Sequence, residues 1–300
     1  VTSDVYRELF VSASDGLRLF ARDYGPITSS LPSVICLPGL ARTSADFHEL
    51  ALALSTDADR PRRVLSLDYR GRGRSEWSDD WQQYDVRVEA GDVQQVLIAA
   101  GVDKGIFVGT SRGGLIIMAL AVLAPQLLQA AVFNDVGPAL EAKGLLRIRG
   151  YVGKLPKPRN FAEAGAILRE LSSKQFPRWT DENWERLARG TWIEKDDGLA
   201  LAYDPALMRT LEALDLEQPL PDLWPFFDAL AAVPLMTIRG ENSDLLSGAT
   251  LERMRERRPD MTTLVVPGQG HAPELVGEVI ASIVDFVNKS EVSRPRTAAA

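Results

Sequence analysis

Apolar residues in this chain fall into short unbroken blocks that alternate with stretches of helical spacing, and this alternation sets the first expectation. "YRELFVSA" (6–13) and "LRLFARDYG" (17–25) flank "SDG", where aspartate can bond its own backbone and glycine tolerates positive φ. That pair reads as an antiparallel hairpin at a sheet edge. The blocks "SVICLPG" (33–39), "RRVLSLDYRG" (62–71), "KGIFVGT" (104–110) and "AAVFND" (130–135) read as further strands. Helical spacing begins near Ser44, covers 86–102, and covers 112–124 before Pro125 stops it. Strand, loop, helix, strand is the unit of a parallel sheet.

The alternation lapses from about Gly137 to Ala232, where helical fragments such as 160–171 and 180–190 are separated by proline-rich breaks. Strand and helix spacing then resume with "VPLMTIRG" (233–240), a helix from about Ala249, "MTTLVVPG" (261–268) and a last helix near 273–288. The expected architecture is therefore α/β: a mostly parallel central sheet flanked by helices, formed by 1–136 and 233–290, with an inserted helical piece over 137–232. The last residues, 291–300, have no apolar period and read as a mobile tail.

Composition narrows the class. Three hundred residues, 45% hydrophobic and 25% charged, suffice for a large core. A net charge of -7 argues against a standing affinity for nucleic acid or anionic lipid. The longest apolar run, 115–124, is too short to span a bilayer, and "VTSDVYREL" does not read as a leader. Cys36 is the single cysteine, so no internal disulfide forms. The expectation is a cytoplasmic protein with a small-molecule substrate, no nucleic acid partner and no membrane partner. Nothing in the sequence sets an oligomeric state.

The chemistry centres on "GTSRG", which places Ser111 between Gly109 and Gly113 where a strand turns into a helix. Such a turn lifts the serine oxygen above the sheet, and the glycines remove side chains that would collide there. The helix N-terminus also directs backbone N–H groups at developing negative charge. A serine needs a base, and the chain has two histidines. His48 lies in a helix and reads as a structural residue. His271, in "GQGHAP" after the last strand, sits at the sheet end where ligands collect, and is the expected base. The acid that orients it has three candidates. Asp244, in "RGENSDLLS", follows serine and precedes histidine in the chain and is favoured; Asp135, ending strand 130–135, is the main competitor, and Glu241 is a weaker one.

Taken together, "LPGLARTSADF", "LDYRGRGRS", "GTSRGG", "RGENSDLLS" and "GQGHAP" resemble, in order, the oxyanion loop, the following strand's loop, the nucleophile elbow, the acid loop and the histidine loop of the α/β-hydrolase fold family. Pro38 stands where many members have histidine. The resemblance implies that the backbone N–H groups of Leu40 and Arg112 form an oxyanion hole and that 137–232 is a helical cap. It implies a serine hydrolase working through an acyl-enzyme with no organic cofactor, and no cluster of residues in the sequence reads as a metal site. The aromatic content of the inserted piece suggests a small, mainly apolar ester or lactone, with Trp192 and Trp224 as candidate substrate contacts. Other chemistries on this scaffold are thioester cleavage, carbon–carbon hydrolysis of ring-fission diketones and cofactor-free haloperoxidation; a non-catalytic ligand-binding protein is the alternative of another class. The Arg112 guanidinium is expected to pair with a structural acid; free in the site, it would favour the carbon–carbon reaction.

Overall fold

The computed structural model describes residues 5–196 and 198–290; the expected mobile tail, 291–300, lies outside them. The strands are β1 (Arg7–Ser12), β2 (Arg18–Tyr24), β3 (Ser33–Leu37), β4 (Val64–Asp68), β5 (Gly105–Thr110), β6 (Leu128–Asn134), β7 (Trp192–Lys195), β8 (Gly198–Leu201), β9 (Leu235–Gly240) and β10 (Thr262–Val266). The helices are α1 (His48–Ser55), α2 (Val86–Ala100), α3 (Arg112–Leu123), α4 (Ala142–Tyr151), α5 (Phe161–Ser172), α6 (Asp181–Arg189), α7 (Met208–Glu212), α8 (Trp224–Asp228), α9 (Gly248–Arg257) and α10 (Gly277–Ser290).

Eight strands form one sheet in the order β1-β2-β4-β3-β5-β6-β9-β10. β1 and β2 make the antiparallel edge, β2 joins β4 antiparallel, and every pairing from β4 to β10 is parallel. Side chains of the central strands alternate between two cores with the period of two that a pleated strand imposes. Val34, Cys36, Ile106 and Val108 face α1 and α10, whereas Ile35, Leu37 and Phe107 face α2, α3 and α9. Because both faces are covered, these strands read as continuous apolar runs rather than alternating ones. No helix among the described residues is long and apolar enough to cross a membrane.

Local signals explain the helix limits that matter for the site. α2 starts at Asp85, whose side chain accepts from the Arg87 amide, and stops at Gly101, whose φ of 67° closes the last turn. α3 starts at Ser111 without a side-chain cap. The stretch between β6 and β9 holds α4 to α8 and also an antiparallel hairpin, β7 with β8, which helical fragments and prolines did not announce. This stretch is tied to the loop after β4 by backbone bonds: Gly73 N–H donates to Ala202 O at 2.7 Å and Asp204 N–H to Gly71 O at 2.7 Å. Its last helix, α8, packs on α3, with Trp224 and Phe227 in the same core as Phe107 and Ile116.

α3 runs close under β3. A Cβ on Gly113 would fall on the Leu37 carbonyl oxygen, well inside contact distance, with backbone rather than a movable side chain as the obstacle. Gly113→Ala should therefore destabilise the fold by about 1–3 kcal/mol, as overpacking does, read as a lowered urea midpoint at unchanged slope.

Candidate active site

The C-terminal ends of β5, β6 and β9 and the loop after β10 bring the predicted serine and histidine together. Ser111 follows β5 with φ 51° and ψ −110°, a conformation that non-glycine residues seldom adopt. It is held there by its own peptide groups: Ser111 N–H donates to Asn134 O at 2.9 Å, and Gly114 N–H donates to Ser111 O at 2.9 Å. Gly109 is required for close approach, since a Cβ there would sit 2.5 Å from the Gly113 carbonyl carbon.

The Ser111 Oγ lies 2.9 Å from His271 Nε2, and His271 Nδ1 lies 2.8 Å from Asp135 Oδ2. A carboxylate offers only lone pairs, so Nδ1 carries the ring proton and Nε2 is left to accept the Ser111 hydroxyl. Asp135 is fully buried and holds φ 57° at the end of β6. Its carboxylate also accepts from Gly240 N–H at 2.8 Å and from Ser243 Oγ at 2.6 Å, so this buried charge is fully met by donors.

The acid beside His271 is thus Asp135, which corrects the expectation of Asp244. The reason is the direction of successive side chains in the loop after β9: Ser243 turns to Asp135, and Asp244 turns to Arg147 on α4, which donates to both its oxygens at 2.7 and 2.9 Å. Burial works against ionisation of Asp244, but the Arg147 pair outweighs it and holds the carboxyl below its ordinary pKa. Glu241 is engaged elsewhere, accepting from Gly268 N–H at 2.7 Å. His48 is structural, its Nδ1 3.1 Å from the Tyr24 hydroxyl.

A cavity of about 400 Å³ opens above Ser111 and His271. Leu40 lines it from the loop after β3, and Ile148, Val152, Leu155, Leu168 and Leu171 line it from the segment between β6 and β9. The Arg112 amide opens α3, so it has no acceptor within the helix. The Arg112 guanidinium does not line the cavity; it donates to Glu89 at 2.7 Å and to Tyr84 O at 2.6 Å, the structural pairing expected for it. The two tryptophans singled out from the sequence are not contacts of this cavity. Trp192 is buried among Leu168, Trp184 and Ala188, and Trp224 packs on α3 beneath Arg253 and Arg257. Trp179, stacked at 4.0 Å on Phe176, lines it instead.

Gln175 and Ser243 are site residues that the sequence reading missed. Gln175, from the end of the α5 region, accepts the His271 N–H on Oε1 at 3.0 Å, and its own carbonyl accepts from Asn242 Nδ2 at 3.1 Å. Nothing local in "SSKQF" marks it, because its partners lie 96 and 67 residues away. Ser243 carried a signal, a hydroxyl two residues before the amide of Leu245 that it caps. No cluster of histidine, cysteine and carboxylate side chains suited to a metal ion is present among the described residues.

Comparison with known proteins bears on this geometry. The model of the alpha/beta hydrolase family matches residues 34–283. The chain belongs to that family. A 3-hydroxybutyrate-oligomer hydrolase of Cupriavidus necator is 36% identical over 252 residues, 81% of this chain and 83% of that protein. A 2-(acetamidomethylene)succinate hydrolase of Mesorhizobium japonicum is 26% identical over 275 residues, 88% of this chain and 94% of that one. Among solved structures, an alpha/beta hydrolase from Novosphingobium aromaticivorans superimposes with a TM-score of 0.87 at 39% identity, covering 95% of this chain and 99% of its own. The protein is accordingly a hydrolase of the alpha/beta family.

The depressed pKa of Asp244 has a consequence for stability. A carboxyl whose folded pKa lies below its unfolded value contributes fully above the unfolded value, near 3.8, and loses that contribution as pH falls through the folded one. The urea midpoint of Asp244→Asn should lie below that of the unmodified chain at pH 7, and the gap should close on acidification below pH 3.8.

Proposed function

We propose that the protein hydrolyses a small carboxylic ester through an acyl-enzyme, with Ser111 as nucleophile, His271 as base and Asp135 as the acid that orients it. The observation that carries this reading is the hydrogen-bonded line from Ser111 Oγ through His271 to Asp135. The Ser111 oxygen forms a bond to the ester carbonyl carbon while its proton passes to His271 Nε2. The Leu40 and Arg112 amides receive the oxyanion. Collapse breaks the bond to the leaving oxygen, which takes the proton from His271. Water then adds to the acyl-enzyme with His271 as base, and the acid departs as Ser111 regains its proton. None of these steps calls for a metal or an organic cofactor.

The segment from 137 to 232 serves in this reading as a cap whose apolar side chains hold the acyl or alcohol part. An oligomer of 3-hydroxybutyrate is a run of short acyl groups joined by esters, so its dimer and trimer are the first substrates to test, beside simple esters and lactones. Arg112 was the residue that pointed to carbon–carbon hydrolysis, and its pairing with Glu89 removes that support.

The test is a rate panel of p-nitrophenyl butyrate, 3-hydroxybutyrate dimer and trimer, a lactone and a ring-fission diketone, with fluorophosphonate labelling of the nucleophile. Ester turnover with labelling at Ser111 is expected, and both should vanish in Ser111→Ala. Diketone cleavage without ester turnover would overturn the proposal. Asp135→Asn should lower kcat by about 10³–10⁴-fold, because the wrong imidazole tautomer becomes available, while Asp244→Asn should retain most of it. Comparable losses in both variants would overturn the choice of acid.

A further inference from the structure

Resting on the oxyanion-hole reading above, we infer that Glu89 is a positioning residue whose one carboxylate aligns both N–H donors of that hole through Arg72 and Arg112. Glu89 is fully buried in the first turn of α2. Its Oε1 accepts from Arg72 at 2.6 Å and its Oε2 from Arg112 Nε at 2.7 Å. Each arginine leads to one donor. Arg72 Nε donates to the carbonyl of Leu40 at 2.7 Å, which fixes the peptide next to the Leu40 amide, and Arg112 is itself the residue of the second amide. The same loop is held at Pro38, whose carbonyl accepts from the Tyr69 hydroxyl at 3.2 Å.

The surroundings leave these groups little freedom. The Arg72 guanidinium lies 5.4 Å from the Tyr69 ring centre and 5.5 Å from that of Tyr84, and a third bond from Arg72, to Arg70 O at 2.7 Å, fixes its plane. Arg112 is tied by its other arm to the carbonyl of Tyr84, in the turn that leads into α2. Burial works against the Glu89 charge, and the two guanidiniums outweigh it, keeping the carboxyl below its ordinary pKa. A buried triad of this kind is no better a stabiliser than well-packed apolar side chains. What it adds is geometry: two donors 72 residues apart in sequence, Leu40 and Arg112, are referred to one fixed point. A hole aligned in advance acts only on the charge that develops in the transition state, so its loosening falls on kcat rather than on substrate binding.

The experiment compares Glu89→Gln with Asp23→Asn. Asp23 is a matched control, a buried carboxylate that also holds two arginines, Arg7 and Arg63, at the far side of the sheet. With the ester turned over by the unmodified chain, folded Glu89→Gln should lose at least about tenfold in kcat with KM within about threefold, a fraction of the loss from removing a donor outright. Its affinity for an alkyl trifluoromethyl ketone, which adds Ser111 to give a tetrahedral oxyanion, should fall by the same factor as kcat/KM. Asp23→Asn should lower only the melting temperature. Unchanged kcat and ketone affinity in folded Glu89→Gln, or an equal kcat loss in Asp23→Asn, would overturn the inference. If Glu89→Gln does not fold, Arg112→Met, which keeps the backbone amide and cuts one arm, carries the test: the same kcat loss supports the inference and an unchanged kcat overturns it. An unmodified chain that neither cleaves esters nor binds the ketone removes the ester reading and this inference with it; an active chain with unaffected variants removes the inference alone.

Discussion

The buried carboxylate of Asp135 is the point on which the site depends. A negative charge with no access to water must be met by hydrogen-bond donors, and here the donors come from the end of β9 at Gly240, from the turn at Ser243 and from the His271 ring. Meeting that requirement brings the ends of β6 and β9 and the loop after β10 to one place. The ring is then held with its other nitrogen toward Ser111, and the serine is carried to meet it by a backbone conformation that costs of order 1–3 kcal/mol. The same surroundings that satisfy the charge therefore stabilise the strained turn beside it.

The sheet and its flanking helices were legible because their signals are local. Apolar blocks, helical spacing, Pro125 and the glycines at 101, 109 and 113 are each read within a few residues. Ser111 and His271 were legible for the same reason, one from a tight turn and the other from a choice between two histidines. The acid was not. Asp135 and Asp244 both follow strands at the same end of the sheet, and what separates them is Arg147, 97 residues before Asp244 in the chain and unmarked by any local pattern. The tryptophans failed differently: aromatic density is visible in composition, but whether Trp192 faces a cavity or Leu168 and Trp184 is decided by how α5, α6 and the β7–β8 hairpin pack.

Two kinds of side chain divide the work around the cavity. Apolar groups from α4 and α5 form much of its walls, Arg147 lines it while paired with Asp244, and the Arg112–Glu89 pair stands outside the lining. Arg112, conspicuous beside the serine in sequence, is engaged by Glu89 and the Tyr84 carbonyl and is spatially withdrawn from the cavity.

Gln175 joins the segment between β6 and β9 to the histidine loop. Its side-chain oxygen takes the backbone N–H of His271, a Cβ on Gly270 would collide with it, and Asn183 and Arg186 of α6 reach Glu274 three residues on, so the histidine loop is moulded to this segment. The stretch is then not a detachable module. A recombinant chain that exchanged it for a relative's would trade away part of the support of its own histidine, and divergence in substrate preference is free to act on the cavity faces of α4 and α5 only so long as position 175 keeps its tie to the sheet.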